Sequence, residues 1–502
     1  MEKSKVTIKV DKEIAQINRN LYGHFSEHLG TCIYEGYWVG EDSEIPNTKG
    51  IRNDVVEALK KIKPPVLRWP GGCFADDYHW MDGIGPREDR PRRLNRHWDS
   101  VDDNSFGTHE FLELCDQLET MPYICGNVGS GTVKEMADWL EYMNCDLDTT
   151  LTRMRAENGH PEPYGLIYFG VGNENWGCGG KMSPQYYANE YKRYACFLRS
   201  YHSIPLYRIA CGASSFDYNW TEKFFASISG KLCECGSSIE MVDGYAFHYY
   251  CGTAGTATEY DHERWYTLLM KALAIEELIE EHRKIMDKYD STRRVGLICD
   301  EWGTWHPVLP GTPARWLKQQ NTIRDALVAA LTLDVFNRNA DKIVMANIAQ
   351  TVNVLQAMVL TDGPKMLTTP TYHVYEMYVP HQDAISLTVD IQTPDVGGYL
   401  AIPKVAGSAS KSGSKITVSL VNTDAEKEEE IDLKFEGVEG VEPVSWRVLA
   451  TGDIHDHNTF EEPNKVVPRD KEVSGSVVLP PASVNVLKYK ITGKIGRREF
   501  FG

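Results

Sequence analysis

Residues 166–176 read Leu-Ile-Tyr-Phe-Gly-Val-Gly-Asn-Glu-Asn-Trp. The first half is a short apolar run of strand length, the pattern of a parallel strand buried on both faces. Glycines interrupt the run, and a carboxylate follows at Glu174. Residues 294–302, Arg-Val-Gly-Leu-Ile-Cys-Asp-Glu-Trp, repeat the plan and end on Glu301. Two strands far apart in the chain thus each finish on a glutamate.

Working outward, strand-like runs fall at 21–25, 66–69, 123–128, 166–171, 207–213, 242–249, 295–299 and 342–349. Helix-like segments separate them at 53–62, 108–118, 133–142, 184–201, 220–228, 265–289 and 319–336. In 265–289 the apolar positions Leu268, Leu269, Ala272, Ile275, Leu278, Ile279, Ile285 and Met286 follow the 3.6 period of one helix face. Eight strands alternating with helices predict a (β/α)8 TIM barrel over residues 18–383. An open nucleotide-binding sheet would want a glycine fingerprint after the first strand, and Gly23-His24-Phe25-Ser26 is not one.

Beyond about His381 the rhythm changes. Short strands at 385–389, 415–421, 431–435, 444–449, 476–479 and 484–489 are separated by Gly, Pro, Ser and Asp, with no helical run between them. This predicts a second, all-β sandwich domain of jelly-roll type. Residues 5–10, Lys-Val-Thr-Ile-Lys-Val, alternate as a half-buried antiparallel strand does, which suits the sandwich better than the barrel. The sandwich domain is therefore expected to comprise residues 1–17 plus 384–502. The Ser/Gly/Lys-rich stretch 405–414 reads as an exposed loop, and the residues from Gly493 show no pattern.

The 502 residues carry a net charge of −18, 42% hydrophobic and 25% charged residues. The composition is that of a globular protein, and the acidic balance speaks against a nucleic-acid partner. No apolar run is long enough for a membrane span, and residues 1–10 lack a secretion signal. The 12 cysteines show no zinc-ribbon spacing; Cys125, Cys211 and Cys299 sit in apolar runs as small hydrophobes do, and Cys233 and Cys235 read as a loop feature. Reduced thiols and the missing signal predict a cytoplasmic protein without a metal.

In a barrel, chemistry sits where strands run out into the loops at their C-terminal ends. Those ends offer His24, Glu27 and His28; Arg68 and Gly71-Gly72-Cys73-Phe74; Asn127; Asn173, Glu174 and Trp176; His248, Tyr249 and Tyr250; Glu301, Trp302 and Trp305; Gln350 and Asn353. Two carboxylates on one mouth suit glycoside hydrolysis, in which one group protonates the leaving oxygen and the other attacks the sugar. Asp300 is expected to alternate away from Glu301 and to be structural. Arg68 needs a buried carboxylate partner, in the site or at Glu27. The arginines of 85–96 are interleaved with acids and suit a loop or subunit contact; Trp98, beyond them, either stacks on sugar or packs.

The stretches Arg-Trp-Pro-Gly-Gly-Cys-Phe (68–74), Tyr-His-Trp-Met-Asp-Gly-Ile-Gly-Pro (78–86), Gly-Val-Gly-Asn-Glu-Asn-Trp (170–176), Phe-His-Tyr-Tyr (247–250) and Cys-Asp-Glu-Trp-Gly (299–303) closely resemble glycoside hydrolase family 51. That family consists chiefly of retaining α-L-arabinofuranosidases. The gathering of every motif at one mouth, without a long cleft lined by successive aromatics, predicts exo-action. The resemblance implies Glu174 as acid/base and Glu301 as nucleophile. It implies that Glu27, Cys73, Asn173, Tyr250 and Gln350 hold the furanose ring. Arg68, Trp98, His248, Trp302 and Trp305 are further candidate substrate-binding residues. It also implies arabinose-containing substrates and a homo-oligomer, with a hexamer among the assemblies it allows. The missing signal predicts imported oligosaccharides rather than polymer, and the two-carboxylate chemistry needs no cofactor. A retaining β-glycosidase of the same clan, an endoglucanase or xylosidase, would use the same carboxylates, and a non-catalytic sugar-binding protein would have a dead barrel with the sandwich as its binding module.

Overall fold

The structure, a computed structural model, describes residues 3–201, 204–230, 237–473 and 476–496. Cys233 and Cys235 lie outside the described residues. The first strand, β1 (Ser4–Gln16), stands apart from the barrel. The barrel strands follow: β2 (Gly23–Phe25), β3 (Val66–Trp69), β4 (Met121–Gly126), β5 (Tyr168–Val171), β6 (Tyr207–Ser214), β7 (Gly244–Gly252), β8 (Gly296–Trp305) and β9 (Ile343–Ala349). They form a closed ring in chain order, sealed where Asn347 of β9 registers with Gly23 of β2. Every residue of β3 is buried, as are nine of the ten in β8. That is why the apolar runs were readable as strands.

The ends differ from the sequence expectation in places. The first barrel strand is preceded by a 3₁₀ turn, Arg19–Tyr22, whose first amides are served by Asn18. The segment 265–289 is two helices, His262–Leu273 and Ile275–Asp287, parted at Ala274. There the turn tightens, and the Ala274 amide shares the Met270 and Lys271 carbonyls. Both helices still turn the predicted apolar face inward.

The strands of the second sheet are β10 (Ile385–Gln392), β11 (Val405–Ser412), β12 (Lys415–Asn422), β13 (Glu429–Glu436), β14 (Val441–Leu449), β15 (Arg469–Lys471), β16 (Val477–Leu479) and β17 (Ser483–Ile491). With β1 they make a nine-stranded sheet in the order β15-β14-β17-β12-β11-β10-β1-β13-β16. β1 pairs antiparallel with β10 and parallel with β13. Val6, Ile8, Leu387, Val418, Trp446 and Leu487, drawn from across the sheet, share one apolar core, so the sheet curls over itself.

The expected exposed loop at 405–414 is instead strand β11, with residues 405–410 buried. Its small residues permit a close approach rather than a solvated turn. A Cβ on Gly407 would meet the Ser419 carbonyl at 2.2 Å. The face so formed receives the helix Ile323–Arg338, which is buried almost throughout because the barrel covers one side and the sheet the other. Arg338 donates to the Gly407 carbonyl at 2.8 Å, and Asp334 accepts from Ser408 at 2.7 Å, from Ser419 and from Tyr378 at 3.1 Å.

Asp334 joins the two parts through a buried carboxyl. Burial pushes it up to about 6, against an ordinary 3.8. The folded chain therefore holds this proton more tightly than the unfolded chain does. The resulting stabilisation is complete below about pH 4 and is lost as pH rises through about 6. Asp334→Asn cannot ionise and lacks that dependence. Urea unfolding should show wild type losing stability relative to the variant between about pH 4 and pH 7; parallel profiles would contradict this.

Candidate active site

The C-terminal strand ends converge as the barrel geometry requires. A bend at the cis peptide Trp69-Pro70 leads β3 into Gly71 and Gly72, and the cis peptide Ala349-Gln350 ends β9. Gly72 is needed for proximity, since a Cβ there would lie 2.6 Å from the Glu27 carboxylate. Glu174 follows β5 in the left-handed region, at φ 42°. Such backbone is rare for a non-glycine residue and recurs at functional sites. Its carbonyl accepts the Gly177 amide at 2.6 Å and the Gly179 amide at 3.1 Å, which closes the turn.

Strand β8 departs from simple alternation. Ile298 and Glu301 register with Ala246 and His248 of β7, three residues opposite two, and the same slip occurs against β9. This bulge places an extra residue between Cys299 and Trp302. Asp300 and Glu301 consequently both face the barrel interior, which corrects the expectation that Asp300 points away. Asp300 accepts from Tyr123 at 2.7 Å, lies 3.0 Å from His248 Nε2, and lies 3.4 Å from Arg68 Nε.

Arg68 is buried and donates to Glu301 at 2.9 Å and to the Asn173 side-chain oxygen at 2.5 Å. Its partners are thus Glu301 and Asp300, with no bond to Glu27. Tyr250 donates to the other Glu301 oxygen at 2.9 Å. His248 Nδ1 is 2.8 Å from Glu174 Oε1 and 3.4 Å from Glu301 Oε2. Glu174, His248 and Glu301 each offer an atom within 4.8 Å of the other two.

Charge follows from these contacts. Burial alone would lower the His248 imidazole, but Glu301, Asp300 and Glu174 outweigh it and hold it at about 10. Burial would raise Asp300, yet Arg68 and His248 pull it down to about 2. Burial pushes Glu301 upward, with Glu174 adding, while His248 and Arg68 oppose. The imidazole joins Glu174 and Glu301 into one hydrogen-bonded cluster.

Glu27 stands beside this group. It accepts from the Phe74 amide at 2.9 Å, from Trp98 Nε1 at 3.0 Å and from Gln350 at 3.3 Å. Burial, with Glu301 adding, pushes it up to about 8. Trp98 is therefore a hydrogen-bond donor to the site, a role that sequence left open. Trp305 lies at the rim, 39% exposed and edge-on to Tyr250 at 5.1 Å. Trp302 is not at the mouth. It alternates outward from Glu301 and packs on Phe336 of the helix layer at 5.5 Å.

The reduced-thiol expectation is also corrected. Cys73 and Cys178 form a disulfide, because the turns after β3 and β5 bring their Cα atoms to 5.6 Å. The two sulfurs lie 3.9 and 3.5 Å from Glu174 Oε2. Asp76 was also missed. It is buried and accepts the amides of Val128 (2.7 Å), Gly129 (2.8 Å) and Asn173 (2.8 Å), tying the loops after β4 and β5 to that after β3. Burial pushes its carboxyl up to about 7. The 85–96 arginines pair locally: Arg87 and Arg90 with Glu110, Arg93 with Asp82, and Arg96 with Asp77.

A (β/α)8 barrel with two carboxylates this close across its mouth has the arrangement of a retaining glycoside hydrolase, whose groups stand about 5–5.5 Å apart. Comparison with known proteins narrows the class. A profile described as the α-L-arabinofuranosidase C-terminal domain matches residues 300–483, and one described as the α-L-arabinofuranosidase 1 domain matches residues 58–265. The chain is 46% identical to the intracellular exo-α-L-arabinofuranosidase of Bacteroides ovatus, over 96% of this chain and 95% of that protein. It is 31% identical to α-L-arabinofuranosidase C of Emericella nidulans, over 97% of each. The crystal structure of the GH51 arabinofuranosidase from Xanthomonas axonopodis pv. citri superposes with a TM-score of 0.93 at 44% identity, covering 97% of this chain and 100% of that one. The chain belongs to glycoside hydrolase family 51, the α-L-arabinofuranosidases.

The disulfide closes a loop of sequence separation 105. In the chain-entropy account such a link stabilises by roughly 3–5 kcal/mol. Cys73→Ser/Cys178→Ser should fold with a lower Tm. It should also lose roughly tenfold in kcat/KM, because the turn carrying Glu174 is less fixed. Calorimetry and initial rates check both, and an unchanged rate would separate the bridge from the site.

Proposed function

We propose that the protein is a retaining, exo-acting α-L-arabinofuranosidase that releases terminal non-reducing arabinofuranosyl groups from short arabino- and arabinoxylo-oligosaccharides. The observation that carries this reading is the close Glu174–Glu301 pair with unequal donors. Glu301 receives Arg68 and Tyr250 and has His248 nearby, whereas Glu174 receives His248. The donors on Glu301 favour its ionised form against the burial that raises it, which suits the nucleophile. Glu301 attacks the anomeric carbon while Glu174 protonates the leaving oxygen, and a covalent glycosyl-enzyme forms. Glu174 then takes a proton from water, which displaces Glu301.

Glu27, Asn173, Tyr250 and Gln350, with the Cys73–Cys178 bridge as a wall, enclose the furanose ring, and Trp98 and Trp305 meet the leaving sugar. Residues 18–383 are the catalytic unit, and residues 1–17 plus 384–502 the sandwich. The name of the Bacteroides ovatus relative supports an intracellular setting, and among the described residues no helix is long and apolar enough to cross a membrane. A cytoplasmic enzyme meets imported oligosaccharides rather than polymer. By family resemblance it assembles as a homo-oligomer.

Glu301→Ala should abolish turnover. Glu174→Ala should retain slow hydrolysis of aryl arabinofuranosides with good leaving groups, and azide should accelerate it by attacking the intermediate. Equal loss in both variants with no azide rescue would reject the assignment. A nitrophenyl arabinofuranoside, xyloside and glucoside panel tests the ring, and faster turnover of the xyloside or glucoside would overturn the substrate reading. Arabino-oligosaccharides should exceed polymeric arabinan in kcat/KM at matched terminal arabinose; oligomers appearing before free arabinose would show endo-action.

A further inference from the structure

The bulge in β8 turns into the barrel a carboxylate that the two-carboxylate mechanism does not require. Asp300 is 2% exposed and meets three groups from three strands: Tyr123 of β4, Arg68 of β3 and His248 of β7. None of these contacts closes a loop or fills an apolar gap. The His248 ring is held at both ends, by Asp300 Oδ1 at Nε2 and by Glu174 Oε1 at Nδ1. A ring facing carboxylate oxygens on both nitrogens is best satisfied with a proton on each.

We propose that Asp300 is a positioning residue for the glycosidase reaction: through His248 it fixes which oxygen of Glu174 carries the catalytic proton. This rests on the reading of Glu174 as the acid/base. With Nδ1–H donated to Oε1, that oxygen's bonding is taken, and the transferable proton resides on Oε2. Oε2 lies on the side lined by Cys73 and Cys178. When Glu174 gives its proton to the leaving oxygen, the imidazolium remains beside the new carboxylate and stabilises it. When the carboxylate takes a proton from water, it does so again at Oε2. His248 is itself neither consumed nor oxidised.

The charge count supports the arrangement. Arg68 and His248 are two cations, and Asp300 and Glu301 two anions, all buried. The titratable groups that face His248 are Glu174 from the loop after β5 and Asp300 and Glu301 from β8. Arg68 stands behind the two β8 carboxylates, Tyr123 behind Asp300 and Tyr250 behind Glu301. Asp300 is one of the three carboxylates beside His248, so its removal leaves the imidazole with less to hold its charge. The values of about 10 for His248 and about 2 for Asp300 agree with this.

The test uses the full chain labelled with ¹⁵N-histidine. In wild type the His248 nitrogens, assigned by their loss in His248→Gln, should both show protonated shifts from pH 5 to pH 9; a neutral ring in that range overturns the proposal. In Asp300→Asn the ring should titrate within the range. On substrates with a sugar leaving group, Asp300→Asn should lower kcat about ten- to a hundredfold with KM little changed, since general acid catalysis supplies about that much or more. On an activated dinitrophenyl leaving group the loss should be under about threefold. In a His248→Gln background the further effect of Asp300→Asn should be under about twofold; full additivity, or equal losses on both leaving groups, overturns the proposal. If Asp300→Asn fails to fold, the wild-type titration still decides. If instead wild type does not cleave arabinofuranosides, the functional reading fails while the imidazole measurement still tests the Asp300–His248 link.

Discussion

A guanidinium and an imidazolium buried among carboxylates set the terms for the rest of this molecule. Moving such charges out of water costs several kcal/mol per ion, and only close pairing offsets it. Arg68 meets Glu301, Asp300 and the Asn173 side-chain oxygen; His248 meets Glu174, Asp300 and Glu301. Each charge has its counter-charge from a different strand. The cluster is therefore satisfied only when β3, β5, β7 and β8 end at the right heights around one mouth. Truncating one member would strand its partner at a cost of about 3–5 kcal/mol.

The surrounding structure serves that requirement. Asp76 gathers amides from the loops after β4 and β5, which places Asn173 against Arg68. The Cys73–Cys178 bridge ties the turn beyond Glu174 to the turn beyond Arg68. Glu27, the carboxyl pushed up to about 8, meets its neighbours through Phe74, Trp98 and Gln350. The sandwich acts from outside: it packs against the helix Ile323–Arg338, which follows β8 and backs it through Trp302 and Phe336.

What the sequence disclosed follows from what periodicity can carry. A barrel strand buried on both faces is a continuous apolar run, so all eight could be read, and the carboxylates at their ends with them. Small polar residues deceive in the same way: β11 is built from Gly, Ser and Ala because a helix lies close against it, and the composition imitates a loop. The bulge at Asp300 adds one residue to a strand, and the rule of alternation has no sign for that. Read from sequence, Trp302 is misplaced at the mouth: a tryptophan beside an inward carboxylate suggests a sugar platform, whereas alternation after Glu301 turns it outward onto Phe336. The pairing of Cys73 with Cys178 depends on two turns 105 residues apart in sequence, and no local pattern announces it.

The central claim is that Glu174 and Glu301 act by double displacement at one anomeric carbon. The stereochemistry of the first product tests it most directly. Proton NMR of the anomeric signals during the first turnovers of an aryl α-L-arabinofuranoside should show α-L-arabinofuranose first, with the β anomer growing only by mutarotation. Initial appearance of the β anomer would mean a single inverting displacement and would contradict the account.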